Sequence, residues 1–175
     1  MHFLTNGLPA EITAGGKTYP VCCDFRRWIL ITKLFGEECL PADRKLHLAA
    51  RIAGIPDTAE QNGELAEGII SFASCGSVSR GEGGDPVFDF DADGDAIFAG
   101  FLQTYGIDLT QSSMHWWKFN ALLKQLPPET EFMRRVELRT MDVSRIEDDG
   151  MRKKLRRLKA RVRLTRNNSN QQKEE

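Results

Sequence analysis

The chain has few of the residues that usually build reactive centres. It contains three histidines, His2, His47 and His115, too isolated from one another for zinc-ligand spacing. Its four cysteines, Cys22, Cys23, Cys39 and Cys75, form no CxxC pair. That excludes the usual zinc knuckle and argues for a reduced interior, with Cys22 and Cys23 as small buried hydrophobes rather than nucleophiles. The glycines of RGEGGDP are not followed by the GK[ST] that a phosphate loop requires. No apolar run is long enough to span a bilayer. The opening MHFLTNGLPAEI lacks the basic segment and apolar run of a secretory signal, so a cytoplasmic location is expected.

What is present is an apolar share of 41% over 175 residues, enough for a core in one ordinary domain with a detachable end. The net charge of −1 hides a division. Up to Thr130 there are ten basic and seventeen acidic residues, and from Glu131 onward fourteen and eight. Such asymmetry would draw an acidic partner toward the C-terminal region, or let copies of the chain meet head to tail.

The densest signal lies in 87–126. Ile97, Phe98, Phe101, Leu102 and Tyr105 line one side of a helix that Gly106 ends. A second helix is expected after a Thr110 cap, with Leu109 and Met114 as a hydrophobic staple, and it stops before Pro127 and Pro128. Trp116, Phe119, Leu123 and Leu126 form its apolar side, widened by Trp117 and Leu122. These two aromatic-rich helices are expected to lock together through Ile97, Phe101, Trp116 and Phe119.

Toward the N-terminus, a loose lead-in over residues 1–10 precedes Glu11–Val21, where Gly15-Gly16 suits a short β-hairpin. Asp24 can cap a helix carrying Phe25, Trp28, Ile29, Ile31, Leu34 and Phe35. Pro41–Ala53 fits another, along Leu46, Ala49, Ala50 and Ala53. A third, from Thr58 to Ala73, is weakened by Gly63 and Gly68, each costing about 1 kcal/mol against alanine. Residues 75–86 read as a flexible connection. The fold class is therefore mainly α: a compact helical bundle with a short N-terminal β-hairpin. Its core candidates are Phe25, Trp28, Ile97, Phe101, Tyr105, Trp116, Phe119 and Leu123.

Beyond a helix at Thr130–Thr140 and a bend near Met141, a final helix should start between Ser144 and Asp149. Met151, Leu155, Leu158 and Val162 mark a narrow apolar seam along it. Nine basic residues and no acidic one lie between Arg152 and Arg166. Domain organisation follows as a helical core over 9–142, a basic helix over 143–166 and a disordered tail over 167–175.

Two constellations invite chemistry. DFDADGD, with Asp89, Asp91, Asp93, Gly94 and Asp95, matches the front of a calcium loop, but its twelfth position is Gly100 where a bidentate glutamate belongs. Acidic side chains favouring the start of a helix explain it more simply. His115 beside Trp116 and Trp117 has no nucleophile, second ligand or orienting acid nearby in the chain, so a structural or interface histidine is expected. No catalytic residue, cofactor or metal site follows.

Three stretches, GGKTYPVCCDFRRW, FDFDADGDAIFAGFLQTYGIDLTQSSMHWWKFNALLKQLP and TEFMRRVELRTMDVS, resemble the bacteriophage Gp15 protein family of tailed phages and prophages. The likeness runs from Pro9 to Leu158, and Asp89, Phe90, Tyr105, Gly106, Asp108, His115, Trp116, Lys118 and Phe119 match family features. Such genes sit between those of the major tail protein and the tape-measure protein. The resemblance thus implies a non-enzymatic tail-assembly chaperone in the cytoplasm of the bacterial host, with the tape-measure protein as client, bound helix-in-groove. A minor structural component of the tail, or a basic-tailed nucleic-acid-associated protein, are the alternatives, and self-association is also open. Candidate protein contacts are His115, Trp117, Lys118, Met151, Leu155, Leu158 and Val162. Candidate phosphate contacts are Arg152, Lys153, Arg156, Arg157, Lys159 and Arg163.

Overall fold

The computed structural model describes residues 3–57, 59, 62–76 and 87–164. The connection expected at 75–86 falls outside the described residues beyond Gly76, as do Arg166 and the tail at 167–175. Among the described residues the fold is mainly helical with one short antiparallel hairpin, as the sequence implied. The chain divides into two compact units, Met1–Glu82 with Leu109–Gln125, and Gly83–Asp108 with Leu126–Glu175.

The first unit opens with a single helical turn, α1 (Phe3–Asn6), then β1 (Glu11–Ala14) and β2 (Lys17–Pro20), paired in register from Glu11↔Pro20 to Ala14↔Lys17. Gly15 and Gly16 take φ of 58° and 69°, the left-handed pair that a two-residue hairpin turn requires. Alternation along β1 buries Ile12 and Ala14 against α4 (Gly63–Ala73). Gly68 makes that contact possible: a Cβ there would overlap Ile12 Cγ2. The residue that weakened the helix by propensity is the seat of the hairpin. The helix begins at Gly63 rather than Thr58 because Asn62 caps it, accepting from the Leu65 amide at 3.0 Å.

Helix α2 (Phe25–Gly36) is capped by Asp24 as expected, and α3 (Ala42–Ala53) follows Pro41. The two pack together and α4 packs against both. Arg27 reaches the Ile52 carbonyl at 2.9 Å, while Lys45 reaches Phe35 O at 3.3 Å. Helix α6 (Trp116–Lys124) completes the unit against α2. It starts six residues beyond the expected Thr110 cap. The segment before it turns at 109–111 and stays out of the helix, where Arg26 Nη2 donates to the carbonyls of Leu109, Thr110 and Ser112 at 2.6, 3.3 and 3.0 Å. Leu109 and Met114 are buried, but not as a staple.

The second unit holds α5 (Gly94–Tyr105), α7 (Glu131–Thr140), a 3-10 turn at Val143–Arg145 and α8 (Asp149–Arg161). Helix α5 packs on α7, and α7 on α8. Gly106 ends α5 at φ 65°. Gly100 is again a close approach, since a Cβ there would lie 3.1 Å from Leu126 Cδ1. Thr130 caps α7 by accepting from the Met133 amide.

Ile97, Phe101, Trp116 and Phe119 are all buried. Helix α5, with Ile97 and Phe101, packs on α7 in the second unit, and α6, with Trp116 and Phe119, packs on α2 in the first. Of the other core candidates Phe25, Trp28 and Leu123 are buried, whereas Tyr105 is half-buried beside Phe101, with ring centroids 5.6 Å apart.

Candidate functional site

In the first unit, Cys23-Asp24-Phe25 and Met114-His115-Trp116 run antiparallel. The Phe25 amide donates to Met114 O at 2.9 Å and the Trp116 amide to Cys23 O at 2.7 Å. The residues between them cap the two helices: Asp24 accepts from Arg26 N at 3.0 Å, and His115 Nδ1 from Trp117 N at 3.0 Å. His115 Nε2 lies 2.8 Å from Pro9 O. A carbonyl only accepts, so these partners assign a neutral imidazole with its proton on Nε2. Both ring nitrogens are committed, which makes His115 a fastening rather than a free contact residue.

Trp116 and Trp117 point about 100° apart on their helix, yet both indoles serve the same end of α4. Trp116 Nε1 donates to Ala73 O at 2.9 Å and Trp117 Nε1 to Phe72 O at 3.0 Å, the second carbonyl also accepting from the Cys75 amide. Trp116 stacks on Phe119, Phe119 on Phe25 at 4.7 Å, and Trp28 on Phe72 at 4.3 Å. The expected aromatic contact surface is thus largely an interior. Trp116 is buried, Trp117 is half-buried, and Lys118 alone of the three candidates around it is exposed.

The cysteines are free, with Cys22, Cys23 and Cys75 half-buried and Cys39 exposed. Burial, helped by neighbouring Cys22, pushes the Cys23 thiol up. Burial also raises Cys75 to about 11, against a smaller lowering by Lys124. Both thiols stay protonated near neutrality, which disfavours nucleophilic use.

In the second unit the acidic stretch stands at a helix start as expected, with Asp93 just before α5 and Asp95 in its first turn, and Asp93 has distant partners besides. Asp93 is fully buried, and Arg139 grips it bidentately, Nη1 to Oδ2 at 2.6 Å and Nη2 to Oδ1 at 2.9 Å. Arg135 adds a longer contact at 3.4 Å, and the Asp89 amide donates at 3.1 Å. Asp89 itself folds back to accept from the amides of Asp91 and Ala92 at 2.9 and 2.8 Å. Burial pushes the Asp93 carboxyl up, but the Arg139 hydrogen bonds, the Asp89 amide and the Arg139 charge together hold it below the ordinary carboxylate value. Asp93 stands at the start of α5 without capping it through its side chain. No signal for this lay in local spacing except Arg135 and Arg139, four apart and therefore on one face of α7.

The same two arginines reach further. Arg135 also holds Glu131 at 3.0 Å, and Arg139 donates to Val87 O and, at 2.5 Å, to Val162 O at the end of α8. Lys159 returns from α8 to Met141 O at 2.7 Å, at the end of α7. Each helix thus carries a cation onto the other's C-terminal carbonyl, where the dipole favours it.

Around α8 the candidates separate. Leu155, Leu158 and Val162 are half-buried, and Met151 is 49% exposed, so most of the seam is occupied within the unit. Arg152 turns to Ile146 O and to Asp149, and with Lys159 is fastened within the unit rather than free for phosphate. Lys153, Arg156, Arg157 and Arg163 are exposed, as are Lys154 and Arg161.

Among the described residues no cluster of three or more acidic, histidine or cysteine side chains is arranged to hold a metal, and no helix is long and apolar enough to cross a membrane. A hollow lined by Ala14, Gly15, Lys17, Tyr19 and Asn62 is water-sized. These features define a helical scaffold whose named motifs serve packing, with its unspent chemistry on the surface. The chain belongs to the Bacteriophage Gp15 protein family, which it matches over residues 4–164. No curated protein and no solved structure matches it.

Proposed function

We propose that the protein is a non-enzymatic phage tail-assembly factor, a chaperone that holds helical segments of the tape-measure protein before they enter the tail. Membership of the Gp15 family supports the phage context. The observation that carries the binding mode is a set of large aliphatic side chains left outside on three mutually packed helices: Leu30 on α2 at 52%, Leu48 on α3 at 37% and Ile70 on α4 at 54% exposure. Scattered apolar exposure is ordinary, but side chains of this kind are what an amphipathic client helix needs opposite its own apolar face.

The test is co-purification with overlapping fragments of the tape-measure protein. Capture of one or more helical fragments by the wild-type chain, lost in a folded Leu30→Asp/Ile70→Asp variant, is the expected result. Failure to capture any fragment across the whole series overturns the reading. Stoichiometric presence in finished particles would instead make the protein a structural component.

A further inference from the structure

The nine basic residues of the C-terminal run do not act alike. Arg152 and Lys159 are spent on Ile146, Asp149 and Met141. Lys153, Lys154, Arg156, Arg157 and Arg161 stand exposed on α8, with Arg163 just beyond it, and none of the six side chains makes an ion pair or hydrogen bond among the described residues. At about 100° per residue, Lys153, Arg156, Arg157, Ala160 and Arg161 fall together, opposite the Met151–Leu155–Leu158–Val162 seam. The stripe they make is about 12 Å long at 1.5 Å per residue. Its only uncharged member is the small Ala160, and no acidic side chain interrupts it.

We propose that this outer face of α8 docks on the phosphate backbone of a nucleic acid. A membrane surface would need the apolar seam, which is largely packed within the unit. An acidic amphipathic helix would need apolar contacts beside its charges, and the face offers only Ala160. A phosphate backbone needs neither, since closely spaced charge and released counterions supply the binding. With no aromatic side chain and no base-reading fork on the stripe, binding is independent of sequence.

The experiment is fluorescence anisotropy of a labelled DNA duplex with the full chain, between about 50 and about 200 mM salt. Engagement of four phosphates predicts a log–log salt slope of about −3.6, a loss of affinity of about a hundredfold across that range. Lys153→Gln/Arg156→Gln/Arg157→Gln/Arg161→Gln should abolish binding while circular dichroism stays unchanged. Arg157→Gln alone should flatten the slope by about one. A control with Arg44→Gln/Arg51→Gln, exposed cations on α3, should bind like the wild type. No binding at the lower salt, binding retained in the fourfold variant, or full displacement of the duplex by an equal charge of polyglutamate would each overturn the proposal, the last in favour of an acidic protein partner.

Discussion

In the first unit the side chains sealed completely from solvent are Trp28, Ile31, Ala49, Ala53, Leu65 and Ile69, and Trp28 among them stacks on Phe72. In the second, Phe101 shares that position with the carboxylate of Asp93. One interior is held by dispersion and apolar burial, the other leans on a desolvated ion pair whose every lone pair must be met. The contrast also revises the charge division along the chain. The first unit carries ten basic and ten acidic residues, and the second fourteen and fifteen. The aspartates near α5 and the arginines of α7 lie far apart in sequence but belong to one unit, so the head-to-tail asymmetry largely cancels on folding.

Substitutions sharpen that comparison. Trp116→Ala removes a buried ring and the indole bond to Ala73, and should cost about 3–5 kcal/mol in denaturant unfolding. Asp93→Ala leaves Arg139 without its buried partner and should cost a similar amount, about 3–5 kcal/mol, but with a different pH signature. The Asp93 carboxyl is held down in the folded state, so its stabilising contribution is present above the unfolded value of about 3.9 and is lost as pH falls through the lower folded value. The gap between wild type and Asp93→Ala should therefore close in acid, whereas a gap for Trp116→Ala that depends on burial should persist. Equal narrowing of both gaps would erase the distinction.

The two close-approach glycines give smaller effects. Gly68→Ala should cost about 1–3 kcal/mol, because Ile12 and the hairpin must move to admit the new methyl. Gly100→Ala should change stability by no more than about 1 kcal/mol, since the gain in helix propensity offsets a slight displacement of the Leu126 side-chain end. His115→Ala removes a cap, one carbonyl contact and a tilted ring contact with Phe72, and should cost about 0.5–2 kcal/mol. Thermal or urea unfolding checks all three.

Most of the helices and the hairpin were legible because periodicity, Asp24, the Gly15-Gly16 pair and Gly106 are local signals. The start of α6 was not, because what holds 109–114 out of a helix is Arg26, more than eighty residues earlier. Spacing within DFDADGD suggested a cation or a helix start, while the partners of Asp93 are arginines 42 and 46 residues away. Gly68 and Gly100 were readable as blemishes and not as contacts, since a missing Cβ announces itself only through the neighbour that fills the space. The basic run was legible as charge, but its separation into two fastened residues and an outer stripe needed the helix phase together with the contacts.

Hydrogen exchange measured at about pH 5 and about pH 2.5 tests the contrast between the units most directly, because it reads each helix by itself. Amides of α5 and α7 should lose protection at the lower pH, corrected for intrinsic exchange, while those of α2 and α6 keep theirs. Simultaneous loss in all four helices, or earlier loss in α2 and α6, would contradict the account.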